Sequence, residues 1–167
     1  MYRVLVATVL LAAVWADNEG DVKKCMRIFH PRSMHCCKRE HSLKPPMHDH
    51  SAVKECMHLQ GGKPTCEREI CMASKQGVAS NEGKIDKAAV QKKFETDFEN
   101  DPELLKLLKD NCIDGDFSKY GKEDDCDVLK LKMCMEIQMA ASCPEWDNEG
   151  HCEGIQELVE ECIEKFA

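Results

Sequence analysis

The chain of 167 residues carries 23 basic and 31 acidic side chains, a formal net charge of −8, 43% hydrophobic residues and 12 cysteines. That length suits one domain of moderate size with a real core, and the hydrophobic share excludes a disordered chain. An acidic balance with 5% aromatic residues speaks against a nucleic-acid partner, which asks for a basic stripe and stacking rings.

Met1-Tyr2-Arg3 places one positive charge before an apolar run from Val4 to Val14, broken only by Thr8. Val14-Trp15-Ala16 then gives a small-residue exit ahead of the acidic Asp17-Asn18-Glu19-Gly20. This layout predicts a signal peptide over residues 1–16, cleaved after Ala16, and a secreted, extracellular protein. A signal anchor is the alternative, but about 11 apolar residues fall short of the roughly 20 in a spanning helix. Charges interrupt every later apolar run, so no membrane insertion is expected.

Residues 17–62 read as a cysteine- and histidine-rich N-terminal extension. Short helices are expected near 20–29 and 50–59, separated by Pro31, Pro45 and Pro46 and closed by Gly61-Gly62. His30, His35, His41, His48, His50 and His58 fall here at irregular spacing. A solvated surface explains them better than a metal site, and no metal is expected. A pH-sensing role is the second reading, in which charging these histidines near about pH 5 weakens ligand affinity.

Residues 63–144 read as a helical core. A helix over 64–76 contains Cys66, Cys71 and Met72 and exits at Gly77, and Ser80-Asn81-Glu82-Gly83 makes the following turn. Asp86 caps a helix over 86–98 that carries Val90, Phe94 and Phe98. Asp101-Pro102 opens a helix over 101–112 with Leu104, Leu105, Leu107, Leu108 and Cys112 on one broad face. Val128, Leu131, Met135 and Met139 recur along a helix over 124–142, a stripe wide enough to be buried on more than one side. Pro144 stops it. Residues 145–167 then form a C-terminal helix packed on the core, with Ile155, Leu158, Val159, Cys162, Ile163 and Phe166 on one face. Strand signals are nearly absent, and the fold class is all-α.

The cysteines stand at 25, 36, 37, 56, 66, 71, 112, 126, 134, 143, 152 and 162. An even number behind a signal peptide reads as disulfides, whereas zinc would want C-x2-C pairs that do not occur. Cys66-x4-Cys71-x40-Cys112 followed by Cys134-x8-Cys143 resembles the framework of insect odorant-binding proteins, with Cys36 or Cys37 as the first cysteine. The turn from Gly77 to Asp86, GVASNEGKID, is also similar to theirs. Extra cysteines and the Cys143-Pro144 pair resemble the Plus-C subgroup of that family, over the whole mature length.

The resemblance implies a compact disulfide-braced helical bundle of the odorant-binding-protein type with N- and C-terminal extensions. It also implies the family's interlocked bridges, first to third, second to fifth and fourth to sixth. These would be Cys36 or Cys37 to Cys71, Cys66 to Cys134 and Cys112 to Cys143. If the C-terminal helix folds back along its predecessor, Cys126 and Cys162 reach similar depth and can pair. Cys25 would then join Cys56, and Cys152 whichever of Cys36 and Cys37 is left.

Catalytic motifs are wanting. A secreted phospholipase A2 would show Cys-Cys-x-x-His-Asp, but here Cys36-Cys37 is followed by Lys38-Arg39-Glu40-His41-Ser42, without a calcium loop. No enzyme and no cofactor are expected. The resemblance implies instead a secreted carrier in olfaction that reversibly binds small hydrophobic molecules, odorants or pheromones, in an internal apolar pocket. Helices near 64–76, 86–98, 101–112 and 124–142 would wall it. Met72, Phe94, Phe98, Leu108, Leu131, Met135 and Met139 are the expected lining, although for any single methionine ordinary core packing is the better explanation. A membrane chemoreceptor and a homodimer are further partners it leaves open. The competing class is a secreted disulfide-rich interaction or inhibitor protein whose helices are packed solid.

Overall fold

Side-chain oxygens of Thr65, Asp86 and Asp101 start three of the helices. Each accepts from the backbone N–H three residues on, Arg68 at 3.3 Å, Ala89 at 3.1 Å and Leu104 at 3.0 Å. The structure, a computed structural model, describes residues 24–25, 27–28, 30–39, 54–56, 58–59 and 65–166. In chain order the helices are α1 (Pro31–Met34), α2 (Cys66–Lys75), α3 (Lys87–Asp97), α4 (Pro102–Leu108), α5 (Asp127–Ala141) and α6 (Ile155–Phe166). A π turn over Lys109–Ile113 prolongs α4, and 3-10 turns occupy Phe117–Lys119 and Gly150–Cys152. Among the described residues there is no strand, only isolated bridges pairing Cys37 with Trp146 and Ala79 with Ile85. The fold is all-α and braced by disulfides.

α5 is the central element. It packs against α2, α4, α6, the π turn and the first 3-10 turn, and a helix covered on so many sides must be apolar nearly all round. Val128, Leu129, Leu131, Met133, Cys134, Ile137 and Ala140 are accordingly buried. Its buried polar groups are satisfied. Lys130 Nζ donates to the Glu123 carbonyl at 3.0 Å, and the Gln138 amide donates to Tyr120 Oη at 3.1 Å while accepting from Asn111. α6 buries one face, and its Phe166 ring stacks on Tyr120 at 5.0 Å between centroids.

Several boundaries depart from the sequence expectation for local reasons. α5 begins at Asp127, because Cys126 is its N-cap and the Lys122 N–H donates to Asp125 to close a turn just before it. The C-terminal helix expected over 145–167 starts only at Ile155, because Gly154, with a φ of +75°, ends the 3-10 turn that precedes α6. Pro31, read as a separator, instead occupies the first turn of α1, where its missing N–H leaves no bond unmade. Residues 24–25 and 54–56 are helical. The signal peptide, most of the 17–62 extension, and His41, His48 and His50 lie outside the described residues.

Cys152 joins one of Cys36 and Cys37, as expected, but the other bridges run otherwise. Cys25 joins Cys162, Cys36 joins Cys152, Cys37 joins Cys143, Cys56 joins Cys71, Cys66 joins Cys126, and Cys112 joins Cys134. Thus Cys71 takes Cys56 rather than Cys36 or Cys37, and Cys25 does not reach Cys56. Cys66 takes Cys126 rather than Cys134, because the first residue of α2 lies beside the N-cap of α5. Cys112 takes Cys134 rather than Cys143, because the π turn packs on the middle of α5. The Cys126–Cys162 pair is also corrected. It needed unbroken helix on both sides of Pro144, but Cys126 to Ala141 rises about 22 Å of helix and Ile155 to Cys162 only about 10 Å.

Candidate functional site

Three helices each turn one stripe toward a shared cavity of about 410 Å³. From α2 and its C-cap come Glu69, Met72, Ala73 and Gln76, and from α3 and its C-cap come Val90, Lys93, Phe94, Asp97 and Phe98. From α5 come Val128, Leu131, Lys132, Met135, Glu136 and Met139, and Val78 closes the turn after α2. Steps of three and four residues in every stripe mean that a single face of each helix lines the space. The other buried residues of α5, Leu129, Met133, Ile137 and Ala140, belong to the main core. The volume lies within the range of about 300–1,000 Å³ usual for small-molecule sites.

Of the residues expected at a pocket, Met72, Phe94, Phe98, Leu131, Met135 and Met139 all stand on this wall. Leu108 does not. It is 0% exposed and, with Leu104, fills the main core, so α4 contributes no wall. A leucine that seals a core leaves no surface for a guest. Phe94 and Phe98 meet edge to face at 5.9 Å between centroids, one helical turn apart, adding a rigid aromatic pair to a lining that also holds flexible methionines.

Charges line the same cavity, and the sequence reading missed them. Glu69, on α2, is 4% exposed and accepts from the Arg68 guanidinium at 3.1 Å. Lys132 Nζ, on α5, approaches the same Glu69 oxygen at 3.1 Å and stands 4.0 Å from Glu136 Oε1. Across the cavity Lys93 pairs with Asp97 at 2.9 Å along α3. Burial pushes the Glu136 carboxyl up to about 7, Lys132 opposing and Glu69 adding to the shift. A signal existed in the sequence. Lys93, Asp97, Lys132 and Glu136 sit at the same helical spacing as the apolar lining residues, where purely solvated charges would fall on the opposite face.

No protein-family model, curated protein or solved structure matches the chain.

Other groupings offer less. Cys36, His151 and Cys152 lie close enough to hold a metal ion, but the two sulfurs are joined to each other. His30 caps α1, its Nδ1 accepting from the Arg32 N–H at 3.3 Å, while His35 and His58 are exposed. None of these three histidines lines the cavity. Arg39, from the N-terminal segment, donates to Asp101 at 2.7 Å and to the Met139 carbonyl at 2.8 Å, tying that segment to α4 and α5.

Proposed function

We propose that this protein is a secreted carrier that reversibly binds small hydrophobic molecules in the cavity between α2, α3 and α5. The observation that carries the reading is that cavity, about 410 Å³ in volume and walled by Met72, Phe94, Phe98, Leu131, Met135 and Met139. Each methylene transferred from water to such a wall contributes about 0.8 kcal/mol. A chain of about ten carbons therefore gains enough to exceed the cost of association. Methionine side chains adjust to guests of differing shape, which suits a carrier of a class of molecules more than of one. No reaction is proposed.

The bridges support both the compartment and the resemblance to Plus-C odorant-binding proteins. Six disulfides suit an oxidising, extracellular setting. Cys56, Cys66, Cys71, Cys112, Cys126 and Cys134, taken in that order, pair first to third, second to fifth and fourth to sixth. This is the family's interlocked order, moved onto other cysteines than the spacing suggested. Among the described residues no helix is long and apolar enough to cross a membrane.

A titration of the oxidised protein with phenylnaphthylamine tests the reading. Fluorescence should rise saturably and fall when a long-chain alcohol is added. A linear, non-saturating rise would favour the solid-packed interaction protein.

A further inference from the structure

The charged groups of the cavity are unequally satisfied. Glu69 is held by both Arg68 and Lys132, at 3.1 Å each. Asp97 is held by Lys93 at 2.9 Å. Glu136 faces Lys132 at 4.0 Å, beyond hydrogen-bonding distance, and that lysine is already engaged by Glu69. Its side chain is 24% exposed and lies on the cavity wall, one position from Met135 and one turn from Met139. A carboxylate has room for about four accepted hydrogen bonds. Among the described residues no hydrogen bond to Glu136 uses that capacity, which leaves it open to whatever fills the cavity.

We propose that Glu136 receives the polar end of the bound molecule, so that the cavity selects an apolar chain terminated by a hydrogen-bond donor, a hydroxyl or an ammonium. The inference rests on the carrier reading above and adds the class of ligand. An anionic head is disfavoured, since Glu69, Asp97 and Glu136 line the space against Lys93 and Lys132. The apolar chain would lie along Met135, Met139 and the Phe94–Phe98 pair. A partly exposed acceptor that a guest cuts off from water discriminates against a guest without a donor, because the carboxylate would lose water and gain nothing.

Ionisation sets when this selection operates. The carboxyl titrates at about 7, with Lys132 on its own helix, Glu69 and Arg68 on α2, and Lys93 and Asp97 on α3 as the surrounding charges. Above that pH the carboxylate only accepts, so it tells a donor head from an acceptor head. Below it the protonated carboxyl also donates, and an ether or aldehyde oxygen becomes an acceptable partner.

The test is displacement of phenylnaphthylamine by decanol, decylamine, decanal and decyl methyl ether. At about pH 8.5 decanol and decylamine should displace the probe at concentrations roughly three- to ten-fold lower than the two donor-free compounds. At about pH 5.5 the gap between decanol and the ether should narrow. An advantage of decylamine over decanol at the higher pH assigns the natural head to an ammonium, and parity assigns it to a hydroxyl. Glu136→Met should abolish the discrimination, while Glu136→Gln, whose amide both accepts and donates, should make it independent of pH. Circular dichroism of both variants verifies that they fold. Equal displacement by all four compounds at about pH 8.5, or discrimination surviving in Glu136→Met, overturns the assignment to Glu136 and leaves the carrier reading intact. Absence of saturable probe binding overturns both.

Discussion

The Lys132 ammonium on α5 lies 3.1 Å from the Glu69 carboxylate on α2, an ion pair between two helices on the cavity wall. Glu69 is also shared with Arg68, a buried neighbour, so one carboxylate neutralises two cations. Removing it leaves Arg68 as an uncompensated buried charge and leaves the part-exposed Lys132 with only Glu136 at 4.0 Å. Glu69→Gln should therefore lower stability by roughly 3–5 kcal/mol, whereas Lys132→Met, which leaves Arg68 on Glu69, should cost about 1–2 kcal/mol. Urea unfolding at neutral pH compares the two, and equal losses would mean that Arg68 contributes nothing to holding Glu69.

Glu136 makes stability depend on pH in a defined direction. Its carboxyl rises from 4.5 to about 7 in the folded protein, so the native state holds the proton more tightly than the unfolded chain does. Stability from this group is complete below about pH 4.5 and is lost as pH rises through about 7. Glu136→Gln should match the parent protein below about pH 4.5 and exceed it at about pH 8, by up to about 3 kcal/mol. Thermal or urea midpoints of both proteins across that range give the difference directly. A constant offset would show that burial does not oppose ionisation here.

Leu108 and Met135 separate core from cavity. Leu108 is completely buried and off the cavity wall, while Met135 is partly exposed and on it. Leu108→Ala should cost about 2–5 kcal/mol and leave phenylnaphthylamine affinity within about two-fold. Met135→Ala should cost less, about 1–2 kcal/mol, and weaken the probe several-fold, since its packing atoms face the guest. Loss of affinity in the leucine variant alone would place the binding site elsewhere.

Asp101 performs two tasks at once. Its carboxylate caps α4 by accepting from Leu104 N–H at 3.0 Å, and it pairs with Arg39 at 2.7 Å. Asp101→Asn keeps a capping oxygen but not the charge, and should cost about 1 kcal/mol. Asp101→Ala loses both and should cost about 2–3 kcal/mol. Denaturation curves that coincide for the two variants would show that the cap carries nothing.

The bridge between Cys56 and Cys71 spans 15 residues and attaches the 54–59 segment to α2. A double substitution of both by alanine should cost about 3 kcal/mol. Peptide mapping of the oxidised protein should recover Cys56 with Cys71 and Cys25 with Cys162. Recovery of Cys25 with Cys56 would contradict the pairing.

The amino-acid order by itself determined which segments are helical, though not every boundary, because the information that starts helices is largely local. Thr65, Asp86 and Asp101 cap their own chain three residues on, and the apolar stripes of α2, α3 and α5 repeat within a few turns. It also placed six of the seven expected lining residues on one wall, since a stripe at helical spacing must face something buried. Which face meets the core and which meets the cavity was decided only in three dimensions. Leu108 and Leu131 have the same chemistry and both belong to the core, yet only Leu131 also borders the cavity. Sulfur pairing was likewise a tertiary matter, because a bridge forms only where packing brings two Cα atoms within about 7 Å, and spacing along the chain does not measure that. Cys112 finds Cys134 at 5.8 Å because the π turn rests on α5. The charged end of the cavity emerged for the same reason: Glu69 and Lys132 are 63 positions apart in the chain and become partners only when α2 lies on α5.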